Sequence, residues 1–167
     1  KRQEYDWEKL FAKNFDHLLR FLYGLPVEVQ VGLAVKVLKR YLPTFEFHHP
    51  DDPRARKVVE AAEVWLKDRS EGNVRLQECR LGKYWELELY WHFLNAVSLL
   101  KHMLLHWAED MFRSAAATAD IVSNCVWQRM NDIWRADNPR DYEAEQVMRA
   151  LDEELMVYED QLSEEEK

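Results

Sequence analysis

One stretch of sequence decides the fold: YWELELYWHFLNAVSLLKHMLLHW, residues 84–107. Drawn as a helix, this stretch carries aromatic or aliphatic side chains on nearly every side. A helix that is apolar all round is buried by its neighbours rather than laid along a surface. We therefore expect Tyr84–Trp107 to be a central helix that other helices surround.

The composition of the whole chain also favours helices. Its 167 residues include only 4 Gly and 5 Pro, too few turn residues for a many-stranded β-sandwich. An apolar content of 47% and an aromatic content of 13% exclude general disorder. No window has the roughly 18 uncharged apolar residues of a membrane span. We predict an all-α fold, a single-domain bundle of five to seven helices over residues 1–162, followed by a frayed acidic tail at residues 163–167.

Prolines and glycines predict where the helices end. We expect a first helix over Glu4–Tyr23 and a second that ends at Pro43, because proline breaks a helix. Residues 43–53 are then a loop, and Asp51 or Asp52 caps the third helix. A turn is expected at residues 70–73. At least one further break is expected between residues 74 and 136, for which Gly82 and residues 113–118 are the candidates.

The last helix combines an apolar seam with a strongly acidic surface. Apolar residues recur at spacings of four and three from Ala144 to Leu162, and residues 137–167 hold 12 acidic and 3 basic side chains. We expect the 144–162 seam to dock on the bundle. The alternatives are a partner helix or a second copy in a homo-oligomer. The candidate partner-binding residues on the acidic surface are Glu143, Glu145, Glu153, Glu154 and Glu159.

Charge and cysteine content restrict the partners and the compartment. The net charge is −8, and basic residues cluster only in two short groups, at residues 36–40 and 54–57. Binding to a phosphate backbone needs a concentrated positive field, so we do not expect nucleic acid as a partner. Cys79 and Cys125 lie far apart without a CxxC motif, which is typical of packed thiols in a reducing compartment. We therefore expect a cytoplasmic protein.

The best chemical candidate is a metal site built on histidines. His102 and His106 are four residues apart and Asp110 follows after four more, so on one helix all three share a face. Together with His92, upstream on the same segment, they could bind Zn²⁺ or another divalent metal. The Glu of an HExxH motif is missing, so this pattern does not predict a zinc protease.

Other catalytic patterns are missing from the sequence. It contains no GxSxG nucleophile motif, no Walker loop and no GxGxxG motif. We therefore expect a non-catalytic protein that needs no cofactor and acts by binding another protein. The alternative is a helical-bundle metalloprotein with a divalent metal at His102 and His106.

Residues 50–66, PDDPRARKVVEAAEVWL, resemble a segment of small all-helical bacterial immunity proteins. In those proteins a Pro-Asp start with alternating arginines leads into an Ala-rich helix that ends near Trp-Leu. A looser likeness extends over residues 115–127. The resemblance implies a protein without enzymatic activity that masks a toxin, and it identifies no binding residue.

Overall fold

The computed structural model describes residues 15–16 and 18–135, and this part of the chain is an all-α bundle. The expected fold class is therefore confirmed for these residues. The first helix, α1, includes residues 18–23. The others are α2 (Val27–His48), α3 (Arg54–Lys67), α4 (Arg69–Glu78), α5 (Trp91–His106) and α6 (Met111–Arg135), with two 3-10 turns, Tyr84–Glu86 and Glu88–Tyr90, before α5.

Several sequence predictions concern residues outside this described part. They are most of the first helix, the apolar seam at 144–162, the five glutamates of the acidic surface and the tail at 163–167. These remain predictions. Among the residues described, no helix is both long enough and apolar enough to cross a lipid bilayer.

The central helix of the bundle is α5, which contacts α2, α3, α4 and α6. Its core residues, among them Leu94, Val97 and Leu100, are completely buried. The predicted start of this helix at Tyr84 is wrong, because residues 84–90 form the two 3-10 turns and α5 begins at Trp91. Of the apolar side chains in residues 84–90, which the sequence predicts to be buried, Trp85 and Leu89 are exposed and Tyr90 is buried.

Helix α2 continues through Pro43 and ends at His48, so the predicted helix end at Pro43 is wrong. The loop predicted at residues 43–53 is wrong for residues 43–48, which are helical. Proline inside a helix costs about 3 kcal/mol. Packing on both sides of the proline offsets this cost, since Tyr41 and Phe45 are buried. The Phe45 ring lies 5.3 Å from the ring of Phe93, across the interface with α5. Burial of aromatic rings thus keeps the last turn helical.

Helices α3 and α4 approach so closely that only glycine fits between them. The turn predicted at residues 70–73 is wrong, because Asp68 caps α4 by accepting the Glu71 N–H at 3.2 Å. A Cβ atom at Gly72 would lie 2.3 Å from the Cα of Trp65. Gly72 is therefore a packing residue within α4, and Trp65 is buried against it.

Between residues 74 and 135 the helical structure is interrupted twice, once at a position that the sequence predicts and once at a position that it does not. Gly82 has a φ of +56°, which suits glycine, and it lies between α4 and the 3-10 turns. The second break falls at residues 107–110, so the prediction of residues 113–118 is wrong. Asp110 starts α6 by accepting the N–H groups of Phe112 and Arg113 at 3.2 and 3.1 Å. The alanines that follow are good helix formers and lie inside α6.

Candidate functional site

Large exposed apolar side chains occur in the last turn of α2, in the two 3-10 turns and at the first residue of α5. Four large apolar side chains there face solvent, with exposed fractions of 81% for Phe47, 54% for Trp85, 60% for Leu89 and 43% for Trp91. We call these four residues the aromatic patch. Single exposed apolar residues are ordinary, but a group of large ones is typical of a binding surface.

Ring contacts connect Phe47, at the end of α2, with the residues around Tyr90 before α5. The Phe47 ring lies 5.2 Å from the ring of His48, which lies 5.9 Å from the ring of Tyr90. Leu89 and Trp91 flank Tyr90 in the sequence. Tyr90 itself is buried and packs edge-on against Phe45. Phe47, Leu89 and Trp91 are therefore next in sequence to side chains of this packed aromatic group. The Trp85 ring packs against its neighbour Tyr84, with 5.7 Å between ring centroids.

The buried side chain of Gln128 fixes the turns that carry the patch. From α6, its Oε1 accepts the Phe93 N–H at 3.0 Å, and its Nε2 donates to the Leu89 carbonyl at 2.7 Å. Tyr90, at the N-cap position of α5, makes no side-chain capping bond. A glutamine on another helix thus satisfies an N–H group in the first turn of α5. This bridge ties the second 3-10 turn to the bundle.

Acidic side chains alternate with the apolar ones in the same turns. Glu86 and Glu88 are exposed beside Trp85 and Leu89. A surface with aromatic anchors and carboxylates at its edge is complementary to an apolar ridge with basic flanks.

The sequence places Phe47 in the predicted loop at residues 43–53, and Trp85, Leu89 and Trp91 in the predicted buried helix at residues 84–107. It could not separate them from core residues, because a buried tryptophan and a displayed one look alike in composition. The signal was the alternation Leu87-Glu88-Leu89, which does not match the 3.6-residue periodicity of a helix. Two glutamates within three residues are also unusual for a segment that is buried on all sides.

The predicted metal ligands are brought together only in part. The rings of His102 and His106 are 4.5 Å apart, and the Trp107 ring also lies 4.5 Å from His102. Burial, and then the neighbouring His106, lower the pKa of His102, which keeps its imidazole neutral at physiological pH. A neutral imidazole is the form that binds metal. Two of the four predicted ligands thus form a pair.

Asp110 and His92 have other contacts. Helix α5 ends at His106, so Asp110 is not on that helix, and its carboxylate caps α6. His92 precedes His102 by ten residues, about 15 Å along a helix axis. The His92 ring stacks on Trp127, with 6.3 Å between ring centroids. In residues 15–16 and 18–135, no three ligating side chains form a group that could hold a metal ion.

Metal analysis can decide between the predicted absence of a cofactor and the alternative of a divalent metal at His102 and His106. We expect protein purified without a His tag to contain far less than one Zn, Fe, Mn or Ni per chain, because capping α6 already engages the Asp110 carboxylate. The measurement is elemental mass spectrometry after incubation with metal and washing. A stoichiometric metal that is lost in the His102→Ala variant would contradict this expectation and establish the metalloprotein alternative.

Neither cysteine has the environment of a nucleophile. Both thiols are buried and free. Burial raises the pKa of Cys79, and it raises the pKa of Cys125 to about 12. A thiol with a raised pKa holds little thiolate at neutral pH and reacts slowly.

A second surface feature is a groove between α2 and α3 with a volume of about 390 Å³. Its polar residues are three lysines, Lys36, Lys39 and Lys67, and one acid, Glu63. The Lys39 ammonium lies 3.3 Å from the Glu63 carboxylate. We call this feature the lysine groove. Its remaining lining residues are Gly32, Val35 and Leu66.

Comparison of the chain with protein-family models, curated proteins and solved structures found no match in any of the three. The resemblance of residues 50–66 to immunity proteins therefore remains a prediction from sequence.

Proposed function

We propose that this chain is a non-catalytic interaction module that acts in the cytoplasm and binds a partner protein through the aromatic patch. The observation that supports the proposal is the exposure of Phe47, Trp85, Leu89 and Trp91 on a packed and hydrogen-bonded base. A few residues, among which tryptophan, tyrosine and arginine are enriched, supply most of the binding energy where protein interfaces have been dissected. A rigid base lowers the entropy that is lost on binding.

The partner is expected to have an apolar ridge with basic side chains at its edge. Glu86 and Glu88 supply carboxylates beside the patch. The acidic segment that follows α6, with its candidate partner-binding glutamates, would extend the negative surface. The immunity-type role that the sequence resemblance suggests is one form of this proposal, in which the partner is a toxin that the module masks.

Replacing Phe47 and Trp85 together by serine should abolish most of the binding. We expect affinity for the partner to fall by about 100-fold or more, because two central aromatic contacts are lost. Stability should change little, since both side chains are more than half exposed. The partner would be captured from lysate of the native cell, identified by mass spectrometry, purified and titrated calorimetrically against both proteins.

The matched control is Val74→Ser, because Val74 is also 54% exposed but lies on α4. This variant should bind like the wild type. A partner that binds the Phe47→Ser, Trp85→Ser protein with unchanged affinity would overturn the proposed site.

A further inference from the structure

We propose that Tyr41 and Asp132 are positioning residues for the aromatic patch, and that both act through the side-chain amide of Gln128. Neither residue belongs to the patch, since Tyr41 is buried on α2 and Asp132 is half-buried near the end of α6. The inference rests on the proposed function, because it concerns the order of the turns that carry the patch. A chain of hydrogen bonds, an amide that can point only one way and a ring contact support it.

Four hydrogen bonds connect Tyr41 on α2 with the turns before and at the start of α5. The Tyr41 hydroxyl donates to Asp132 Oδ2, and Gln128 Nε2 donates to Asp132 Oδ1 at 3.1 Å. The other two are the bonds that Gln128 makes to the Leu89 carbonyl and to the Phe93 N–H. The two oxygens of one carboxylate thus link a hydroxyl on α2 to an amide on α6, and that amide to the patch.

Asp132 helps to determine which way the Gln128 amide points. A carboxylate only accepts hydrogen bonds, so the NH2 group of Gln128 has to face it. An amide turned the other way would point its oxygen at this carboxylate and at the Leu89 carbonyl, where only acceptors would meet. Its NH2 group would then face the Phe93 N–H, where two donors would meet. Asp132 thus favours the one orientation in which Gln128 bonds to both backbone groups.

The carboxylate holds this orientation independently of the turns that carry the patch. Gln128 and Asp132 lie four residues apart on α6, so their bond does not require the second 3-10 turn to be closed. A single short turn opens readily, because it has few hydrogen bonds of its own. With the amide already oriented, the Leu89 carbonyl meets its donor whenever the turn closes. The patch is then ordered before a partner arrives, and less entropy is lost on binding.

Tyr41 supports the start of α5 with its ring as well as with its hydroxyl. The ring lies 4.8 Å from the ring of Phe93, in the first turn of α5. The hydroxyl fixes Asp132 through the carboxylate oxygen that Gln128 does not use. Tyr41→Phe removes the hydroxyl and keeps the ring, so this variant separates the hydrogen-bond role from the packing role.

Hydrogen exchange of the free full-length chain, followed by NMR, tests the positioning role without any partner. The reporter is the Phe93 amide, which bonds to Gln128, and the reference is the amide of Leu100 in the middle of α5. We expect Tyr41→Phe to speed the exchange of Phe93 relative to Leu100 by about threefold to tenfold, because one hydrogen bond less holds the acceptor. Asp132→Ala should speed it at least as much.

The chain supplies a matched control for each variant. Tyr23→Phe makes the same change on α1, and Asp120→Ala makes it at an exposed position of α6, about 18 Å along the helix axis from Asp132. Both controls should leave the ratio of Phe93 to Leu100 exchange at its wild-type value.

The conservative variant Asp132→Asn should exchange like the wild type. Its Oδ1 can still accept from Gln128, and its NH2 group can donate to the Tyr41 hydroxyl, whose oxygen accepts as well as donates. If Asp132→Asn speeds Phe93 exchange as much as Asp132→Ala does, hydrogen bonding to the amide is not the role of Asp132, and the proposal is overturned.

Binding to the captured partner shows whether Tyr41 acts through Gln128. Tyr41→Phe should lower the affinity by about threefold to tenfold. In the Gln128→Leu background the same substitution should cause no further loss, because the residue that carries its effect is gone. An equal loss in both backgrounds would show that Tyr41 acts independently of Gln128, which would overturn the proposal.

Failure of the positioning role and failure of the proposed function give different results. Phe93 exchange that is no faster in Tyr41→Phe than in Tyr23→Phe overturns the positioning role, whatever the partner does. Faster exchange with unchanged affinity also overturns it, provided that the Phe47→Ser, Trp85→Ser protein has lost binding. If that double variant binds normally, the proposed function fails, and the exchange result alone decides whether the hydrogen-bond chain orders the turn.

Discussion

Gly72→Ala is expected to lower the free energy of unfolding by about 3 kcal/mol, one of the two largest effects of single substitutions that we predict. The added Cβ would lie 2.3 Å from the Cα and 2.6 Å from the backbone N of Trp65. Backbone atoms cannot rotate away, so α3 and α4 would have to separate. This separation would also loosen the packing of the buried Trp65 side chain.

The matched control for this substitution is Gly32→Ala in α2. No atom lies within 4 Å of a Cβ at Gly32, and its backbone is helical. Alanine there should stabilise the protein by up to about 1 kcal/mol, the usual gain for replacing glycine in a helix. The same substitution is thus expected to lower the free energy of unfolding at Gly72 and to raise it at Gly32. Urea unfolding of both variants measures these changes. A Gly72→Ala protein as stable as the wild type would contradict the close approach of α3 and α4.

Gln128→Leu is expected to cost about 3 kcal/mol and also to weaken partner binding. The substitution removes the acceptor of the buried Phe93 N–H, and a buried group left unpaired costs about 1–3 kcal/mol. It also removes the hydrogen bond to the Leu89 carbonyl and places a larger apolar side chain in the packed interface. The 3-10 turn that carries Leu89 would also lose its tie to α6. Stability is again measured by urea unfolding, and affinity by calorimetry.

The control is Gln77→Leu, the same change at an exposed position of α4. It should alter stability by less than about 0.5 kcal/mol. If Gln128→Leu has an effect as small as Gln77→Leu, the glutamine bridge does not support the start of α5. If it destabilises the protein but leaves affinity unchanged, the bridge does not position the patch.

Residue types and their spacing carried enough information for the fold class. Few glycines and prolines and a long apolar segment predicted an all-α bundle, and Asp52 and Pro53 marked the start of α3. Asp52 accepts the Arg54 N–H and binds the Arg54 guanidinium, and that guanidinium holds the pKa of Asp52 below its usual value. These signals are local, so they can be read from sequence alone.

The incorrect predictions concern segments in which tertiary packing outweighs a local sequence signal. Pro43 would end an isolated helix, but burial of Phe45 against Phe93 keeps α2 intact. Residues 70–73 look like a turn because glycine and polar residues cluster there. Gly72 is instead required by contact with Trp65, a residue on another helix. Such contacts cannot be inferred from the spacing of nearby residues.

The candidate site was missed for a related reason. Hydrophobicity predicts that a side chain leaves water, but it does not say whether the covering surface is the same chain or a partner. The sequence therefore predicts that residues 84–91 are buried, although Trp85, Leu89 and Trp91 are exposed. The acidic residues within this segment were the available evidence for a displayed surface.

Hydrogen–deuterium exchange of the full chain, alone and bound to its captured partner, tests the proposed binding site most directly. We expect slower exchange on binding at residues 84–91 and at the end of α2 around Phe47. These amides lie in short 3-10 turns and a helix end, so they should exchange quickly in the free protein. Protection at other surfaces, with unchanged exchange at residues 84–91, would contradict the aromatic patch as the binding site.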